Sequence, residues 1–544
     1  MKHYLSNIFG LAVFGLIACQ QPTNVQAPMN YSSANPYLPV WEFIPDGEPY
    51  VFEDPDQPGQ YRVYVYGSHD MLVDQYCGRD QVVWSAPVEN PGNWRYGGII
   101  FESKLNAVGE NLYEDGRGDV LFAPDVAVTV DSTGKKTYWL YPNNQGGGRN
   151  SQIAKSDRPD GPFTVCNWSE EDPNRTEGVL GFDPAVFVDG DGRVYGYWGF
   201  ETSNGAELDP QTMASVKPET EVVTDMIPGR YQEGRERFFE ASSIRKIKDK
   251  YVFIYSRWTL DGEEGLPETN YTLAYCYGDH PLGPWTYGGT IIDARGREKQ
   301  EDGTTIPTAC PGGNTHGSIC EINGKWFVFY HRQAGNSEFS RQAMVAPVTV
   351  EVEEGPGGKV LISEGEYTSE GFNTDGLDPF NRYPAGIACY YVGPKPAYQN
   401  YPFVEYNGPH TSIKRLKEIH PELNPYDVRI NRSTMIDIFS GSTIGYKYFN
   451  LDKTSGKKDI TLHLNYITEG VTGTMDIYVD QPGKGGIKVA SVEISATEGE
   501  ECHAHVNMKA LKKMCGKHSL FLTFTSDTPD RSLCELVDFY FTAR

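Results

Sequence analysis

The sequence has few basic residues for its length. Among 544 residues, 48 are Lys or Arg and 73 are Asp or Glu, which gives a formal net charge of −25. This balance argues against a nucleic-acid partner and against electrostatic attachment to an anionic membrane surface. A neutral partner such as a carbohydrate fits, although acidic charge can also serve solubility alone.

Long apolar runs are also scarce, and the one present lies at the N-terminus. Residues 8–17 follow Lys2 and His3 and end at Ala18-Cys19, which is typical of a signal peptide and too short for a membrane-spanning helix. Leu16-Ile-Ala-Cys19 resembles a bacterial lipobox, although a chance cysteine after an ordinary signal peptide would look the same. We expect residues 1–19 to be a lipoprotein signal peptide and residues 20–36 a polar tether. The protein is then secreted and anchored to the cell envelope, with membrane contact only through a lipid on Cys19.

Cysteine is infrequent and scattered. The ten cysteines show no C-x-x-C spacing and no paired histidine, which excludes a recognisable zinc site. Lipidation of Cys19 would leave nine, an odd number. Most are expected to be buried free thiols. The disulfides that remain possible join Cys310 to Cys320, or two of Cys502, Cys515 and Cys534.

A repeated strand–turn–strand unit dominates the first two thirds of the chain. In one copy, residues 240–244 form a strand, Lys248-Asp-Lys250 a polar turn, and residues 251–255 a second strand. Five copies recur at intervals of roughly 60 to 80 residues, and several add a third strand. They begin at Asp46, Asp125, Asp183, Glu240 and His316. A repeat of this length built from short strands predicts a five-bladed β-propeller.

The first residue of each copy is ionisable. In a propeller the first strand of every blade lines the central axis, so five ionisable side chains should converge at one end of one channel. Crowded carboxylates shift one another's pKa values, as acid–base catalysis requires. A lone Glu240 could be a surface residue, but its recurrence in a repeat favours a site.

The pattern changes towards the C-terminus. Turn-rich residues 371–386 read as a linker after a propeller at 37–370. Residues 387–544 carry spaced strands without the repeat, and alternation is clear at 460–466. The sequence therefore predicts an all-β protein, a five-bladed β-propeller followed by a β-sandwich.

Residues 35–360 resemble glycoside hydrolase family 43. The matching motifs are Ile44-Pro-Asp-Gly-Glu-Pro-Tyr-Val-Phe52, Tyr66-Gly-Ser-His-Asp70, Ala123-Pro-Asp125, Phe182-Asp-Pro184, Phe239-Glu240-Ala-Ser-Ser-Ile and His316-Gly-Ser318. The resemblance implies an inverting glycosidase that acts on a neutral plant-type polysaccharide or oligosaccharide. Exo-acting members with this pattern remove terminal α-L-arabinofuranosyl or β-D-xylosyl units, and some relatives cleave β-1,3-galactan. No cofactor is expected to be required, and a structural calcium ion is possible.

The resemblance implies three catalytic carboxyl groups. Asp46 matches the general base, Asp125 the carboxylate that modulates the pKa of the acid, and Glu240 the general acid. Inversion needs a base that activates water and an acid on the opposite side of the sugar. A negative Asp125 close to Glu240 would keep that acid protonated near neutral pH. Galactan-specific relatives often replace the base, so the presence of Asp46 makes activity on galactan a less favoured prediction.

The resemblance also suggests substrate contacts. Arg332 resembles an arginine that reaches the modulating carboxylate and the sugar hydroxyls, the alternative being a salt bridge at a blade edge. His316 matches an axial histidine that touches a metal ion or water, or is a hydrogen-bonded core residue. Asp183 matches a residue of mostly structural role.

Other candidates are weaker. His69 and Asp70 are expected to line the pocket, unless Asp70 caps a turn. Trp258, and similarly Trp84 and Trp198, could stack on sugar rings, with core packing as the alternative. Asp189-Gly-Asp-Gly192 could be a calcium loop, but a hairpin turn fits its spacing better.

Residues 385–544 resemble a family 6 carbohydrate-binding module, on Ile444-Gly-Tyr446-Lys-Tyr448 and Val537-Asp-Phe-Tyr-Phe541. Leu536 stands where binding members often have Asn, and an aromatic residue expected near residues 443–444 is missing. We therefore expect a module that supports the propeller and has lost its main sugar cleft.

The sequence thus predicts an exo-acting, inverting α-L-arabinofuranosidase. The alternatives are a β-D-xylosidase, an exo-β-1,3-galactosidase and, outside enzymes, a glycan-binding propeller lectin. A sialidase is disfavoured because the S-x-D-x-G-x-x-W repeats of that class are absent from the sequence.

Overall fold

The computed structural model describes residues 32–309, 313–394, 398–400, 403–405, 408–414 and 433–544. The predicted signal peptide, most of the tether, Cys19 and Cys310 lie outside these residues. The regular elements of the described part are β-strands, apart from short 3₁₀ helices at Glu263–Gly265, Ala385–Ile387, Leu451–Thr454 and Lys509–Lys513. Within it, no helix has the length and apolar character needed to cross a membrane.

The first four blades are antiparallel four-stranded sheets in which sequence neighbours pair. Blade one contains β1 (Glu48–Glu53), β2 (Tyr61–Tyr66), β3 (Gln81–Pro87) and β4 (Arg95–Phe101). Blade two contains β5 (Asp125–Val130), β6 (Lys136–Tyr141), β7 (Ala154–Ser156) and β8 (Thr164–Val165). Blade three contains β9 (Ala185–Val188), β10 (Val194–Trp198), β11 (Asn204–Leu208) and β12 (Val223–Thr224). Blade four contains β13 (Phe238–Ile247), β14 (Lys250–Thr259), β15 (Thr269–Gly278) and β16 (Thr286–Asp293).

Blade five has three named strands and borrows an edge from the N-terminal segment. After a small hairpin of β17 (Glu298–Lys299) and β18 (Thr305–Ile306), it contains β19 (Ser318–Ile322), β20 (Lys325–Gln333) and β21 (Arg341–Val348). The Tyr37 amide donates to the Ala343 carbonyl at 3.2 Å, and Asn35 Nδ2 donates to the Val345 carbonyl at 2.9 Å. The start of the described chain therefore covers the outer edge of the last blade.

The innermost strands close into a ring. Strand β1 packs beside β19, β19 beside β13, β13 beside β9, and β9 beside β5. The Tyr50 hydroxyl on β1 donates to Asp125 on β5 at 2.6 Å and completes the circle. Short turns make these hairpins tight: Asn323 and Gly324, between β19 and β20, both have positive φ, as a two-residue hairpin loop requires. The predicted five-bladed propeller is confirmed.

A hairpin of β22 (Val350–Val352) and β23 (Val360–Ile362) leads from the propeller to the second domain. One sheet of that domain has the order β28 (His410–Thr411), β29 (Met435–Ile436), β36 (Cys534–Thr542), β31 (Thr461–Glu469) and β34 (Glu498–Asn507), with β24 (Tyr383–Pro384) also on β36. The other has the order β25 (Tyr390–Val392), β30 (Thr443–Asn450), β35 (Lys517–Thr525), β32 (Gly473–Val479) and β33 (Ile487–Ile494). Strands β26 (Tyr398–Asn400) and β27 (Phe403–Glu405) form a separate hairpin.

The two sheets form the predicted β-sandwich. Strand β31 alternates strictly between buried and half-buried residues, because one of its faces packs on the opposite sheet. One continuous hydrophobic cluster joins blades four and five to the sandwich, and it includes Ile254, Val328, Ile444 and Leu462. The second domain is thus packed on the propeller through apolar contacts. The expectation that the sandwich has lost its main sugar cleft stays a prediction.

Eight cysteines lie within the described residues, and all of them have free thiols. Cys320, Cys502 and Cys534 are buried. Cys515 is free and exposed. No pair among Cys502, Cys515 and Cys534 is therefore bridged.

Candidate active site

Three ionisable residues stand at one level above the innermost strands. Asp46, Asp183 and His316 each lie two residues ahead of the first strand of their blade, β1, β9 and β19. Asp46 and Asp183 have φ values of 59° and 48°, which are unfavourable for residues other than glycine and are often found at functional sites. A Cβ on Gly317, beside His316, would lie 1.9 Å from the Phe329 carbonyl oxygen, so only glycine fits there. The backbone is therefore turned sharply to bring these side chains onto the axis.

Asp46 is held as a buried carboxylate. The Ser68 hydroxyl donates to its Oδ2 at 2.6 Å, and the Arg341 Nη1 donates to its Oδ1 at 3.0 Å. Burial would raise the pKa of Asp46, but the charge of Arg341, the nearby histidines and the hydrogen bond from Ser68 together outweigh burial and lower this pKa below its usual value. Asp46 is ionised at neutral pH and is able to accept a proton.

His331 positions Asp46 from behind. The Asp46 amide donates to His331 Nδ1 at 3.2 Å, which fixes the proton on Nε2, and Nε2 donates to the Asn314 carbonyl at 2.8 Å. Burial lowers the pKa of His331 to about 4, so the ring is neutral. It therefore acts as a neutral support.

Glu240 is the least buried of the axial carboxyl groups, and Asn270 Nδ2 donates to it at 3.3 Å. The pKa of Glu240 is raised to about 8, mainly by burial and next by the charge of Asp183. The charge of His316 opposes this shift. At neutral pH Glu240 keeps its proton. The site thus contains an ionised carboxylate and a protonated carboxylic acid, the combination that inverting hydrolysis needs.

Asp183 is the carboxylate that faces Glu240. Its Oδ2 accepts from the amide of Ala241, the residue after Glu240, at 3.0 Å, and its Oδ1 accepts from Asn143 Nδ2 at 2.7 Å. Burial raises the pKa of Asp183 to about 6 while His316 opposes this effect. Asp183 is therefore mostly charged where Glu240 must stay protonated.

Asp125 lies deeper in the channel than the sequence predicts. Its Oδ1 accepts from the Tyr50 hydroxyl at 2.6 Å, and its Oδ2 accepts from the amide of Val186 at 2.7 Å, inside β9. Burial, followed by the charge of Glu48, raises the pKa of Asp125 to about 6. Its carboxylate therefore ties β1, β5 and β9 together, and the predicted role beside Glu240 falls to Asp183.

The strand bounds separate Asp125 from Asp46 and Asp183. Those two acids stand two residues ahead of their strands, whereas Asp125 is itself the first residue of β5. In the strand pairing, Asp125 lies opposite Tyr141 just as Glu48 lies opposite Tyr66. Asp125 therefore corresponds to Glu48 in its blade, and not to Asp46.

His316 lies between two carboxyl groups. Its Nδ1 is 3.6 Å from Asp183 Oδ2, and its Nε2 is 3.8 Å from Glu48 Oε1. Burial would lower the pKa of His316, but Glu48 and Asp183 raise it to about 9. Across the described residues no three His, Cys, Asp or Glu side chains are placed to hold one metal ion. The geometry of His316 fits an ion-paired axial histidine, and its contact with a metal ion stays a prediction.

Arg332 does not reach the axis, contrary to the prediction. It is fully buried and donates to the carbonyls of Ala388 at 2.6 Å and Gly386 at 2.5 Å, at the edge of the sandwich domain. Successive side chains on a strand point to opposite faces, so His331 on the axis directs Arg332 away from it.

Arg341 is the arginine of the site, a residue that the sequence motifs did not predict. Besides Asp46 it binds Asp70, with Nη2 2.9 Å from Oδ1 and Nε 3.0 Å from Oδ2. Its guanidinium also lies over the ring of Tyr76, 4.8 Å from the centroid. Asp70 is fully buried, so it acts on the site through Arg341.

The remaining candidates are buried beside the site. His69 does not line the pocket, because its ring lies between Asp80, 2.6 Å from Nδ1, and Glu42, 3.3 Å from Nε2. Trp258 is only 6% exposed and packs against Phe239, with ring centroids 5.1 Å apart. Core positions therefore explain both residues.

The other two tryptophans and the turn at Asp189 have structural roles, which are core packing for the tryptophans and a hairpin turn for residues 189–192. Trp84 is fully buried and Trp198 is partly buried. Residues 189–192 form the hairpin turn between β9 and β10, in which Asp189 accepts from Lys246 Nζ at 2.6 Å and from the Tyr251 hydroxyl.

A model of the family described as glycosyl hydrolases family 43 matches residues 91–355. A xylosidase/arabinosidase of Thermoclostridium stercorarium is 33% identical over 461 residues, which cover 80% of this chain and 86% of the relative. The chain belongs to glycosyl hydrolase family 43. Two further proteins are similar to this family 43 chain. An arabinoxylan arabinofuranohydrolase of Paenibacillus polymyxa is 28% identical over 330 residues, covering 57% of this chain and 47% of the relative. A crystal structure of a family 43 arabinoxylan arabinofuranohydrolase from Bacillus subtilis in complex with cellotetraose aligns with a TM-score of 0.42 at 20% identity, covering 94% of this chain and 97% of that one.

Proposed function

We propose that this family 43 hydrolase removes terminal α-L-arabinofuranosyl units from plant polysaccharides or their oligosaccharides, by single displacement with inversion. Asp46 takes a proton from the attacking water, and Glu240 gives its proton to the oxygen of the departing sugar chain. Asp183 keeps Glu240 protonated through its negative charge. The observation that carries the proposal is the opposite pKa shift of Asp46 and Glu240, which sets one carboxyl as base and the other as acid.

The names of the relatives support the choice of sugar. Both the xylosidase/arabinosidase and the arabinoxylan arabinofuranohydrolase carry arabinose in their names. The first name also favours a second candidate, a β-D-xylosidase, for the same pair of carboxyl groups. The chemistry at the anomeric carbon would be the same for either sugar, because inversion needs one acid and one base on opposite sides of the sugar in both cases.

The test is a panel of 4-nitrophenyl glycosides of α-L-arabinofuranose, β-D-xylose and β-D-galactose, followed by proton NMR of the first sugar released. We expect the arabinofuranoside to be the preferred substrate and the first anomer to have the configuration opposite to the substrate. Retention of configuration would contradict the mechanism, and preference for the xyloside would establish the second candidate.

The variant that probes the acid is Glu240→Gln, which keeps the shape but removes the transferable proton. We expect a loss of roughly 10²–10⁴-fold in kcat on a natural oligosaccharide. The matched control is Glu233→Gln on the exposed loop before β13, with activity unchanged. Full turnover by Glu240→Gln would show that Glu240 is not the acid. Glycan binding without turnover by the unaltered protein would leave the lectin alternative, in which the site binds glycan without cleaving it.

A further inference from the structure

Two exposed aromatic side chains lie next to the acid side of the site. Phe200 is 47% exposed and Tyr231 is 78% exposed. Large apolar side chains left exposed close to a site often mark a binding surface. Neither residue takes part in the chemistry proposed above.

The backbone places Phe200 directly at the catalytic carboxyl groups. The Gly199 amide donates to the carbonyl of Phe182, which precedes Asp183, at 2.8 Å. The Glu201 amide donates to the carbonyl of Phe239, which precedes Glu240, at 2.6 Å. The Phe200 ring packs on both of these phenylalanines, with centroids 5.2 Å from Phe182 and 5.0 Å from Phe239. Phe200 therefore spans the gap between the two acids' blades.

Arg230 joins this surface to Tyr231. Its guanidinium lies 4.3 Å from the ring centroid of Trp258, 4.4 Å from that of Tyr231 and 5.2 Å from that of Phe239. It also donates to Glu201, with Nη2 2.8 Å from Oε1. Cation–π contacts of this kind hold aromatic rings in fixed orientations.

The charge at this surface suits a neutral ligand. Glu201 neutralises Arg230, and the exposed faces that remain are aromatic. Such a surface favours the C–H faces of sugar rings over an anionic ligand. Its rigid base, with Trp258 and Phe239 buried beneath it, lowers the entropic cost of binding.

We infer that Phe200 and Tyr231, fixed by Arg230, form the platform for the leaving-group sugar chain, stacking on the pyranose rings of a neutral polysaccharide backbone. The inference rests on the proposed function. A general acid protonates the oxygen of the departing group, so residues beside Glu240 face the chain that leaves and not the terminal sugar that is cleaved off. The platform thus selects substrates by what the terminal sugar is attached to.

The test compares two substrates that share one terminal sugar. One is an arabinosylated xylo-oligosaccharide, with a sugar chain as leaving group. The other is α-L-arabinofuranosyl fluoride, whose leaving group is too small to reach the platform. For Phe200→Ala and Tyr231→Ala we expect kcat/KM on the oligosaccharide to fall roughly tenfold, mainly through KM, because the platform binds ground state and transition state alike. On the fluoride we expect less than about a twofold change.

The matched control is Tyr61→Ala. Tyr61 is also an exposed aromatic residue, 48% exposed, but it pairs with Glu53 at the end of β1 opposite to Asp46. We expect this variant to match the unaltered enzyme on both substrates. Equal losses on both substrates, or no loss on the oligosaccharide, would overturn the platform.

The fluoride also separates the two proposals. If the unaltered enzyme hydrolyses it but the platform variants show no selective loss, only the platform is wrong. If the unaltered enzyme hydrolyses no glycosyl fluoride of arabinose or xylose, the proposed function fails and the platform falls with it.

Discussion

At the scale of single residues, position along the axis decides what an acid does. Asp125 and Asp183 are both buried, both have a raised pKa, and both belong to innermost strands. They differ by their partners: Asp183 binds the amide next to Glu240, and Asp125 binds Tyr50 and Val186 below it. Of these two residues, only Asp183 is placed to change the protonation of Glu240.

This difference predicts a shift in pH dependence. The alkaline limb of kcat/KM should follow Glu240, whose pKa is about 8, and the acidic limb should follow Asp46, whose pKa is lowered. Asp183→Asn removes a negative charge beside Glu240, so the pKa of Glu240 falls and the alkaline limb moves to lower pH, by about one unit. Measurement of kcat/KM from pH 4 to 10 checks it.

Asp125→Asn is the matched control for that experiment. It loses the same charge deeper in the channel, and we expect the alkaline limb to stay in place. A shift in Asp125→Asn with none in Asp183→Asn would restore the assignment that the sequence resemblance implies.

At the scale of elements, the loop between β2 and β3 is held by buried charges. His69 lies between Glu42 and Asp80, and Asp70 accepts from the Cys77 amide at 2.8 Å. The loop carries Tyr76, whose ring covers Arg341. The histidine therefore fixes a segment that closes one side of the site.

His69→Ala should destabilise the protein in a pH-dependent way. Burial opposes the charged form of His69, but Glu42 and Asp80 raise its pKa to about 9. Its contribution is therefore complete below the unfolded pKa of about 6.5 and is lost as pH rises through 9. We expect the variant to lose about 2–3 kcal/mol at pH 6 and clearly less at pH 10, as measured by urea unfolding.

The exposed His280→Ala provides the comparison, with little change at either pH. A stability gap for His69→Ala that grew towards pH 10 would show that the ring is not held as a cation between the two carboxylates.

The strands and turns of the propeller show how much of the structure could be predicted from the sequence. Strand β14 and the turn before it follow from a run of β-branched and aromatic residues after polar turn residues, so the predicted strand at residues 251–255 lies inside Lys250–Thr259. The arginine could not be chosen in this way. Arg332 and Arg341 lie on neighbouring strands, and only the direction in which each side chain leaves its strand separates a site residue from a buried one at the domain boundary. That direction depends on the pairing of His331 with Asp46 across the propeller.

At the scale of the whole molecule, the catalytic domain and the sandwich share an interior. Arg332 is the polar centre of that contact: it donates to Gln342 at 2.9 Å within blade five and to the carbonyls of Gly386 and Ala388 across the boundary. The Tyr391 amide donates to the Thr308 carbonyl at 2.7 Å nearby. The sandwich is thus positioned to support the last blade.

Arg332→Ala should therefore lower stability without a direct effect on chemistry. It leaves buried carbonyl groups without their donors, which costs roughly 3–5 kcal/mol, whereas Arg193→Ala, which removes an exposed ion pair with Asp191, should change stability little. For the folded fraction at low temperature we expect kcat/KM of Arg332→Ala to stay within about twofold of the unaltered enzyme.

Arg341→Ala should act mainly on activity. We expect a loss on the order of 10²-fold or more, because Asp46 loses the charge that keeps it ionised. Thermal unfolding and initial rates, measured on the same preparations of both variants, separate a loss of stability from a loss of activity. If Arg332→Ala folded normally but lost activity with a raised KM, it would be a substrate contact after all, and the boundary role would be wrong.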